Sequence, residues 1–119
     1  MNVRDHLIKT LQPLGINVRY QGSISEDEPI PETLITYEII DSMDQSYYDN
    51  TSHRLTTRIQ LVIYSSKMSI IKTLPDHMSQ LIKAAGFTRE SRGYDRGFYM
   101  DHYAWIMEIH FTERTSSYA

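Results

Sequence analysis

The first candidates for metal binding or acid–base catalysis in this chain are its histidines and carboxylates. Cysteine is absent, so there are no thiol ligands or thiol nucleophiles. The five histidines are His6, His53, His77, His102 and His110. None has the spacing of metal ligands, such as two histidines four residues apart on a helix beside a carboxylate. His102 and His110 share a face of one predicted strand, but at about 3.3 Å per residue they lie roughly 26 Å apart. This pattern predicts no metal site.

The acidic residues offer no catalytic pair either. Glu26, Asp27 and Glu28 cluster between Ser23 and Glu32, whose prolines and charges predict an exposed acidic loop. Hydrolysis by paired carboxylates needs two of them facing one cleft from rigid elements. No Gly-x-Ser-x-Gly elbow and no glycine-rich phosphate loop occurs in the chain. We therefore expect neither enzymatic activity nor a cofactor, and a small nuclease or hydrolase is the least favoured alternative.

Composition limits the remaining classes. A length of 119 residues suits one domain. A net charge of −3 argues against binding a phosphate backbone, so we expect no nucleic-acid partner. The lack of cysteine fits a reducing cytoplasm, and no stretch approaches the roughly 20 apolar residues that cross a membrane. Nine tyrosines against three phenylalanines suggest contact surfaces, although half-buried strand positions explain most of these tyrosines.

Hydrophobic spacing predicts the first elements. Asn2 can cap a helix that Pro13 and Gly15 end, and Ile16 to Tyr20 alternates as a short strand. The stretch from Thr33 to Asp41 carries apolar residues on both faces, as expected for a central strand.

The next segments predict a long hairpin. Met43 to His53 is polar around the pair Tyr47-Tyr48 and predicts a projecting hairpin loop. From Leu55 to Tyr64, mostly apolar residues at every second position alternate with the residues between them, so that each set occupies one face of the predicted strand. This alternation is the clearest strand signal in the chain.

A second helix and a last hairpin follow. Ser65 and Ser66 are predicted to cap a helix whose apolar stripe ends at Gly86. Because a proline inside a helix costs about 3 kcal/mol, Pro75 predicts a kink, or a restart near Thr73. Phe87 to Arg92 is expected to pair with a last strand running from Tyr99 to Phe111, across a turn that contains Gly93 and Gly97.

Together these elements predict an α+β fold, an antiparallel β-sheet of long hairpins with two helices packed on one face. Residues 1–112 would form the single domain and residues 113–119 a flexible C-terminal tail. The open sheet edges are places where another subunit could extend the sheet.

Two segments are candidates for contacts with a neighbouring subunit or partner. The first is the hairpin loop, because adjacent exposed tyrosines are common in interfaces, with a simple loop closure as the alternative interpretation. The second is the basic and aromatic turn from Arg89 to Arg96, for which a solvated hairpin tip is the favoured interpretation and a protein contact the alternative. The candidate residues are Tyr47, Tyr48, Asp49, Asn50, His53, Arg89, Arg92, Tyr94 and Arg96.

The succession from Ile35 to Phe111 resembles the small tail-completion, or tail-to-head joining, proteins of long-tailed (siphovirus) bacteriophages and related prophages. The stretches that carry this resemblance are Tyr37–Asp41, Tyr48–Asn50, Arg58–Ser65, Leu81–Phe87 and Tyr103–Phe111. Pro75 departs from the smooth helix of the family.

The resemblance implies a structural protein of the virion, made in the host cytoplasm and located at the head–tail interface. Copies would form a ring, expected to be a hexamer, at the head-proximal end of the tail tube. The ring would contact the tail tube protein and the head connector proteins, with no cofactor, no membrane contact and no sequence-specific binding of nucleic acid. The alternative is a regulatory or inhibitory module, encoded by a mobile element, that engages a basic partner through the acidic loop from Ser23 to Glu32.

Overall fold

A computed structural model describes residues 2–23, 31–46, 52–99 and 101–116 of the chain. Within them lie two α-helices and six strands that form a single sheet, which confirms the predicted α+β class. The elements in chain order are α1 (Val3–Leu11), β1 (Asn17–Tyr20), β2 (Thr33–Ser46), β3 (Ser52–Ser65), α2 (Met68–Ala84), β4 (Thr88–Arg89), β5 (Tyr94–Tyr99) and β6 (His102–Ser116). Short 3₁₀ turns lie at Gln12–Leu14 and Gln21–Ser23.

The strands lie side by side in the order β1, β2, β3 and β6, and both β4 and β5 pair with the outer side of β6. β1 runs parallel to β2, whereas every other pairing is antiparallel. The prediction of a purely antiparallel sheet is therefore wrong at β1. Residues 21–32 join β1 to β2, and a parallel pair needs a connection of about a dozen residues or more.

The first helix begins as its sequence predicts. The Asn2 side-chain oxygen accepts hydrogen bonds from the backbone N–H groups of Arg4 at 2.9 Å and Asp5 at 3.3 Å. These bonds satisfy two of the N–H groups that every helix start leaves unpaired. Leu7 and Leu11 are fully buried, so α1 packs its apolar stripe into the core.

The second helix is one element from Met68 to Ala84, so the predicted restart near Thr73 is wrong. Pro75 sits inside it without an N–H to donate, and its own carbonyl accepts a hydrogen bond from the Ser79 hydroxyl at 2.8 Å. Burial of the stripe that includes Met78 offsets the proline, because tertiary packing supplies most of a helix's stability. The N-cap is Lys67, not Ser66, and the Ser65 hydroxyl accepts from the Lys67 N–H at 3.2 Å.

Both helices pack on the same face of the sheet, as predicted. The main core joins them to inward residues of β2, β3 and β6, among them Ile35, Leu61, Ile63, Met107 and Ile109. The opposite face carries a smaller buried cluster of Val62, Ala104 and Ile106, packed against Tyr64.

Two predicted irregular segments are partly strand. β2 continues to Ser46 and β3 begins at Ser52, so most of the predicted loop from Met43 to His53 belongs to the hairpin itself. β6 continues to Ser116, paired with β3 as far as Ser52, so residues 113–116 of the predicted tail are strand, and residues 117–119 lie outside the described residues. Polar residues extend these strands because ladder hydrogen bonds and cross-strand pairs such as Thr56–Thr112, at 3.0 Å, stabilise them without an apolar face.

The predicted turn between the last two strands is also partly strand. Tyr94 to Tyr99 forms β5, with Gly97 inside it, and β6 begins at His102 rather than at Tyr99. Asp101, at φ 64°, lies in the left-handed region between the two strands. The chain therefore reverses next to Asp101, beyond the turn that the sequence predicts at Gly93 to Gly97.

Candidate subunit interface

The sheet has two open edges on opposite sides. β1 pairs only with Leu34 to Tyr37, and no described strand lies on the outer side of β2 beyond that point. On the other side, β4 and β5 cover β6 as far as His110, and no described strand covers Phe111 to Ser116. We call the side of β1 and β2 the β1/β2 edge, and the side of β5 and the outer part of β6 the β5/β6 edge.

Large apolar side chains are exposed at these edges. Among the described residues, the exposed large hydrophobic side chains are Tyr20 (40% exposed), Ile40 (40%), Met43 (53%), Tyr94 (57%) and Phe98 (62%). The first three belong to the β1/β2 edge and the last two to β5. The central strand β3 and both helices contribute none within that part of the chain. An apolar open edge is a surface that can pair with another chain.

Each edge also contains a β-bulge. The pairing register shifts between Ile39 and Asp41 in β2, and between Asp95 and Gly97 in β5. The Asp95 carboxylate accepts a hydrogen bond from the Gly97 N–H at 2.7 Å and so fixes the second bulge. Bulges twist an edge strand and interrupt its row of hydrogen-bonding groups, which protects an open edge against indiscriminate pairing with other chains.

The connection before β5 is held against α2 by the Arg92 side chain. Its guanidinium donates to both carboxylate oxygens of Asp76, at 3.1 and 3.3 Å, and lies 5.7 Å from the centre of the Trp105 ring. The Trp105 indole N–H donates to the Arg92 carbonyl at 3.1 Å. The hydrogen bond and the charge of Arg92 lower the pKa of the Asp76 carboxyl below its ordinary value. These contacts orient the start of β5.

The four candidate residues in the predicted turn therefore differ in how available their side chains are for contact with a neighbouring subunit. Arg89 donates to the Ser79 hydroxyl at 2.8 Å and Arg92 binds Asp76, so both already have partners within the chain. Tyr94 is exposed on β5. Arg96 is exposed and lines a cleft of about 330 Å³ on the helix-free face with Gln21 and Tyr64.

The candidate residues of the predicted loop stay a prediction. Tyr47, Tyr48, Asp49 and Asn50 lie outside the described residues. His53 lies in β3, where its backbone pairs with Ser46 and Thr115.

The other histidines have structural partners or line a groove. His6 donates from Nε2 to the Ala85 carbonyl at 2.9 Å, and His102 donates from Nε2 to the Pro31 carbonyl at 2.7 Å. His110 contacts the Glu90 carboxylate. Within the described ranges, no three histidine or carboxylate side chains are grouped so that they could hold a metal ion.

A groove that the sequence does not reveal lies on the helix-bearing face, between the 3₁₀ turn Gln12–Leu14 and the first half of α2. Its volume is about 510 Å³. The residues that line it include Leu14, Ile16, Thr33, Ile70, Thr73 and His77. Ile70, Thr73 and His77 follow one another at helical spacing, but only the folded contact with Leu14 shows that they border a cavity.

No protein family model matches this chain, and no curated protein matches it either. The described helices include none that is long and apolar enough to cross a membrane.

Proposed function

We propose that this chain is a structural virion protein of a tailed bacteriophage, which completes the tail and joins it to the head. Copies assemble into a ring at the head-proximal end of the tail tube, and the ring docks to the head connector. The observation that carries this proposal is the location of the exposed apolar residues. The five such residues in the part of the chain that the structure describes lie on two different edges of one sheet: Tyr20, Ile40 and Met43 on one, Tyr94 and Phe98 on the other.

The presence of two different apolar edges on one sheet favours assembly into a ring. A contact that joins one surface of a copy to a different surface of the next is heterologous, and heterologous contacts close into rings when the rotation between copies is right. A symmetric dimer would need one self-complementary patch instead. The β1/β2 edge and the β5/β6 edge lie on opposite sides of the sheet, so one copy can contact two neighbours at once.

The tail-joining role rests on the resemblance of the sequence, and the edges supply the means of assembly. A protein of this kind needs a rigid scaffold and contact surfaces and no catalytic group. The buried core of α1, α2 and the sheet provides that scaffold.

Sedimentation velocity of the purified chain, alone and mixed with purified phage tails, tests the proposal. We expect either a ring in solution or co-sedimentation with tails, and electron micrographs should show added density at the head-proximal end. The double variant Ile40→Lys/Met43→Lys should abolish both, while Lys72→Gln, on the exposed surface of α2, should leave them unchanged. A wild-type chain that stays monomeric and binds neither tails nor head connectors would refute the proposed function.

A further inference from the structure

A cleft made of two adjoining cavities lies on the helix-free face of the sheet. The larger, of about 330 Å³, is lined by Gln21, Tyr64, Arg96, Phe98 and Ala104. The smaller, of about 170 Å³, shares three of these residues, Gln21, Tyr64 and Arg96, and continues past Thr36, Glu38, Gln60 and Val62. We call the two cavities together the Arg96 cleft. Because Gln21 follows β1 and Arg96 lies in β5, the Arg96 cleft crosses the strands between them.

The floor of the Arg96 cleft is apolar and buried. Val62 lines one cavity and Ala104 the other, and they are only 5% and 1% exposed. Both helices pack on the opposite face, so residues of the helix-free face must shield this floor, and Tyr64 packs against it. A concave apolar surface with a few polar groups at its rim is the usual composition of a ligand site.

Arg96 is the positive group of the cleft, and it is free to bind a ligand. The pairing of β5 with β6 skips it, because the register shifts between Asp95 and Gly97. A bulge of this kind redirects a side chain, and the bond from the Gly97 N–H to the Asp95 carboxylate fixes it. Unlike Arg89 and Arg92, Arg96 makes no side-chain hydrogen bond or ion pair within the part of the chain that the structure describes.

Gln21 presents a second hydrogen-bond donor to the cleft. Its side-chain oxygen accepts a hydrogen bond from the Thr36 hydroxyl at 2.6 Å, and Thr36 is fully buried. This bond holds the Gln21 amide in one orientation and leaves its NH₂ group to donate to a ligand. Together with the guanidinium of Arg96, the rim of the cleft offers several N–H donors to an acceptor.

The charges of the cleft favour a single carboxylate over a polyanion. Arg96 borders both cavities, whereas Glu38 lines only the smaller one, and these two are the charged residues among the described lining. A phosphate backbone carries charge along its whole length, so it would also meet Glu38, and the net charge of −3 adds repulsion. A carboxylate attached to apolar atoms meets Arg96 and the apolar floor at once, and guanidinium binds carboxylate in a paired fork geometry.

The carboxylate of an acidic side chain fits the cleft better than the carboxylate of a chain end. Arg96 borders both cavities, so cavity space continues on two sides of it. A chain end bound at Arg96 would fill one cavity and leave the other empty. A segment that continues past an aspartate or glutamate extends into both, with an apolar neighbour against Phe98 and Ala104.

From this arrangement we infer that the Arg96 cleft binds an extended peptide segment of a partner protein. An acidic side chain of the segment binds Arg96 and the Gln21 amide, and an adjacent apolar side chain packs over Ala104. This site goes beyond the proposed function and does not depend on it, because the cleft is complete within one copy of the chain.

Selection from a displayed library of random peptides of about ten residues tests the site, with immobilised wild-type chain as the bait. The enriched peptides should share an aspartate or glutamate next to an apolar residue. The same selection on Arg96→Gln should lose the preference for the acidic residue. The charge-matched control Lys72→Gln removes one positive charge from the exposed surface of α2 and should keep it.

A double-mutant cycle then tests direct contact. The most enriched peptide and its analogue with the acid replaced by the amide are titrated into wild type and Arg96→Gln, and fluorescence anisotropy measures the dissociation constants. Loss of either partner should weaken binding about tenfold or more, as loss of a charge-assisted hydrogen bond does, whereas loss of both should cost little beyond one. Nuclear magnetic resonance of wild type should show the Gln21 side-chain amide shifting as the acidic peptide binds.

The outcomes separate the site from the ring. A library without enriched peptides, or enriched peptides without an acidic preference, would overturn the site. So would an acidic preference that Arg96→Gln retains, a requirement for a free chain end, or tighter binding of a thymidine oligonucleotide than of any peptide. None of these results bears on whether copies assemble, and a chain that forms no ring and binds no tail would leave the cleft as it is.

Arg96→Gln should fold as wild type does, because Arg96 is exposed. Circular dichroism of the variant checks this before either binding experiment.

Discussion

Replacement of Gly93 by alanine should destabilise the chain more than the same replacement at Gly97. Both glycines have strongly positive φ, 105° at Gly93 and 99° at Gly97, so any side chain strains the backbone at either position. A Cβ at Gly97 meets nothing within 4 Å. A Cβ at Gly93 would overlap the Ile106 carbonyl oxygen and lie 2.5 Å from the Trp105 indole nitrogen.

These distances set the expected magnitudes. Backbone strain alone costs about 1–3 kcal/mol, which is the expected loss for Gly97→Ala. Gly93→Ala adds an overlap with backbone, which cannot rotate away, and overpacking adds about 1–3 kcal/mol. The expected loss for Gly93→Ala is therefore roughly 2–6 kcal/mol.

Urea denaturation followed by the fluorescence of Trp105 measures both losses. Trp105 is the only tryptophan of the chain, and its indole N–H donates to the Arg92 carbonyl beside Gly93. If Gly93→Ala is no more destabilising than Gly97→Ala, then the backbone at Gly93 does not pack closely against β6. That result would also remove the basis for the position of Phe98.

Two further predictions concern stability. Because the hydrogen bond and charge of Arg92 lower the pKa of Asp76, their pairing stabilises the fold above the unfolded-state pKa of that carboxyl, and this stability is lost as pH falls through the folded-state pKa. The difference in unfolding free energy between wild type and Asp76→Asn should therefore shrink on acidification, and a difference that is constant with pH would contradict the pairing. Met78 is fully buried whereas Met43 is 53% exposed, so Met78→Ala should cost about 2–5 kcal/mol and Met43→Ala within about 0.5 kcal/mol, as measured by chemical denaturation.

The sequence predicts those parts of the fold whose signal is local. The cap at Asn2 and the strict alternation from Leu55 to Tyr64 each specify one element, and both elements are present. The helical stripe that includes Met78 also identifies the buried side of α2 in spite of Pro75. When one face of a helix or strand is buried, apolar residues recur at the period of that element, so the sequence alone identifies the element.

The remainder of the fold depends on partners that are distant in sequence. Residues 113–116 are polar and become strand only because β3 lies beside them. Gly97 suggests a turn, and it becomes part of a bulged strand only through pairing with Ala104. The connection from β1 to β2 is long enough for either direction of pairing, so neither its length nor the alternation within β1 predicts that the two strands are parallel.

The candidate interface was predictable only in outline. The open edges follow from the order of the strands, but the exposure of Phe98 requires that β5 exist as a strand. The groove requires Leu14 and Thr73 to meet across two helical elements. The turn arginines, by contrast, have the composition of a contact surface, and two of them bind Ser79 and Asp76 of their own chain.

A mixing experiment with one disabled edge per variant tests the central claim most directly. Ile40→Lys/Met43→Lys disables the β1/β2 edge, and Tyr94→Lys/Phe98→Lys disables the β5/β6 edge. All four side chains are exposed, so both variants should fold, which circular dichroism checks. The masses of each variant alone and of their equimolar mixture are then measured at a concentration where wild type assembles.

A heterologous contact between the two edges predicts that each variant alone is monomeric. The mixture then holds one intact edge of each kind, so it should form dimers with one copy of each variant and nothing larger. If either variant alone still forms dimers, or if the mixture stays monomeric while wild type assembles, then the two edges do not bind each other and the proposed ring is wrong.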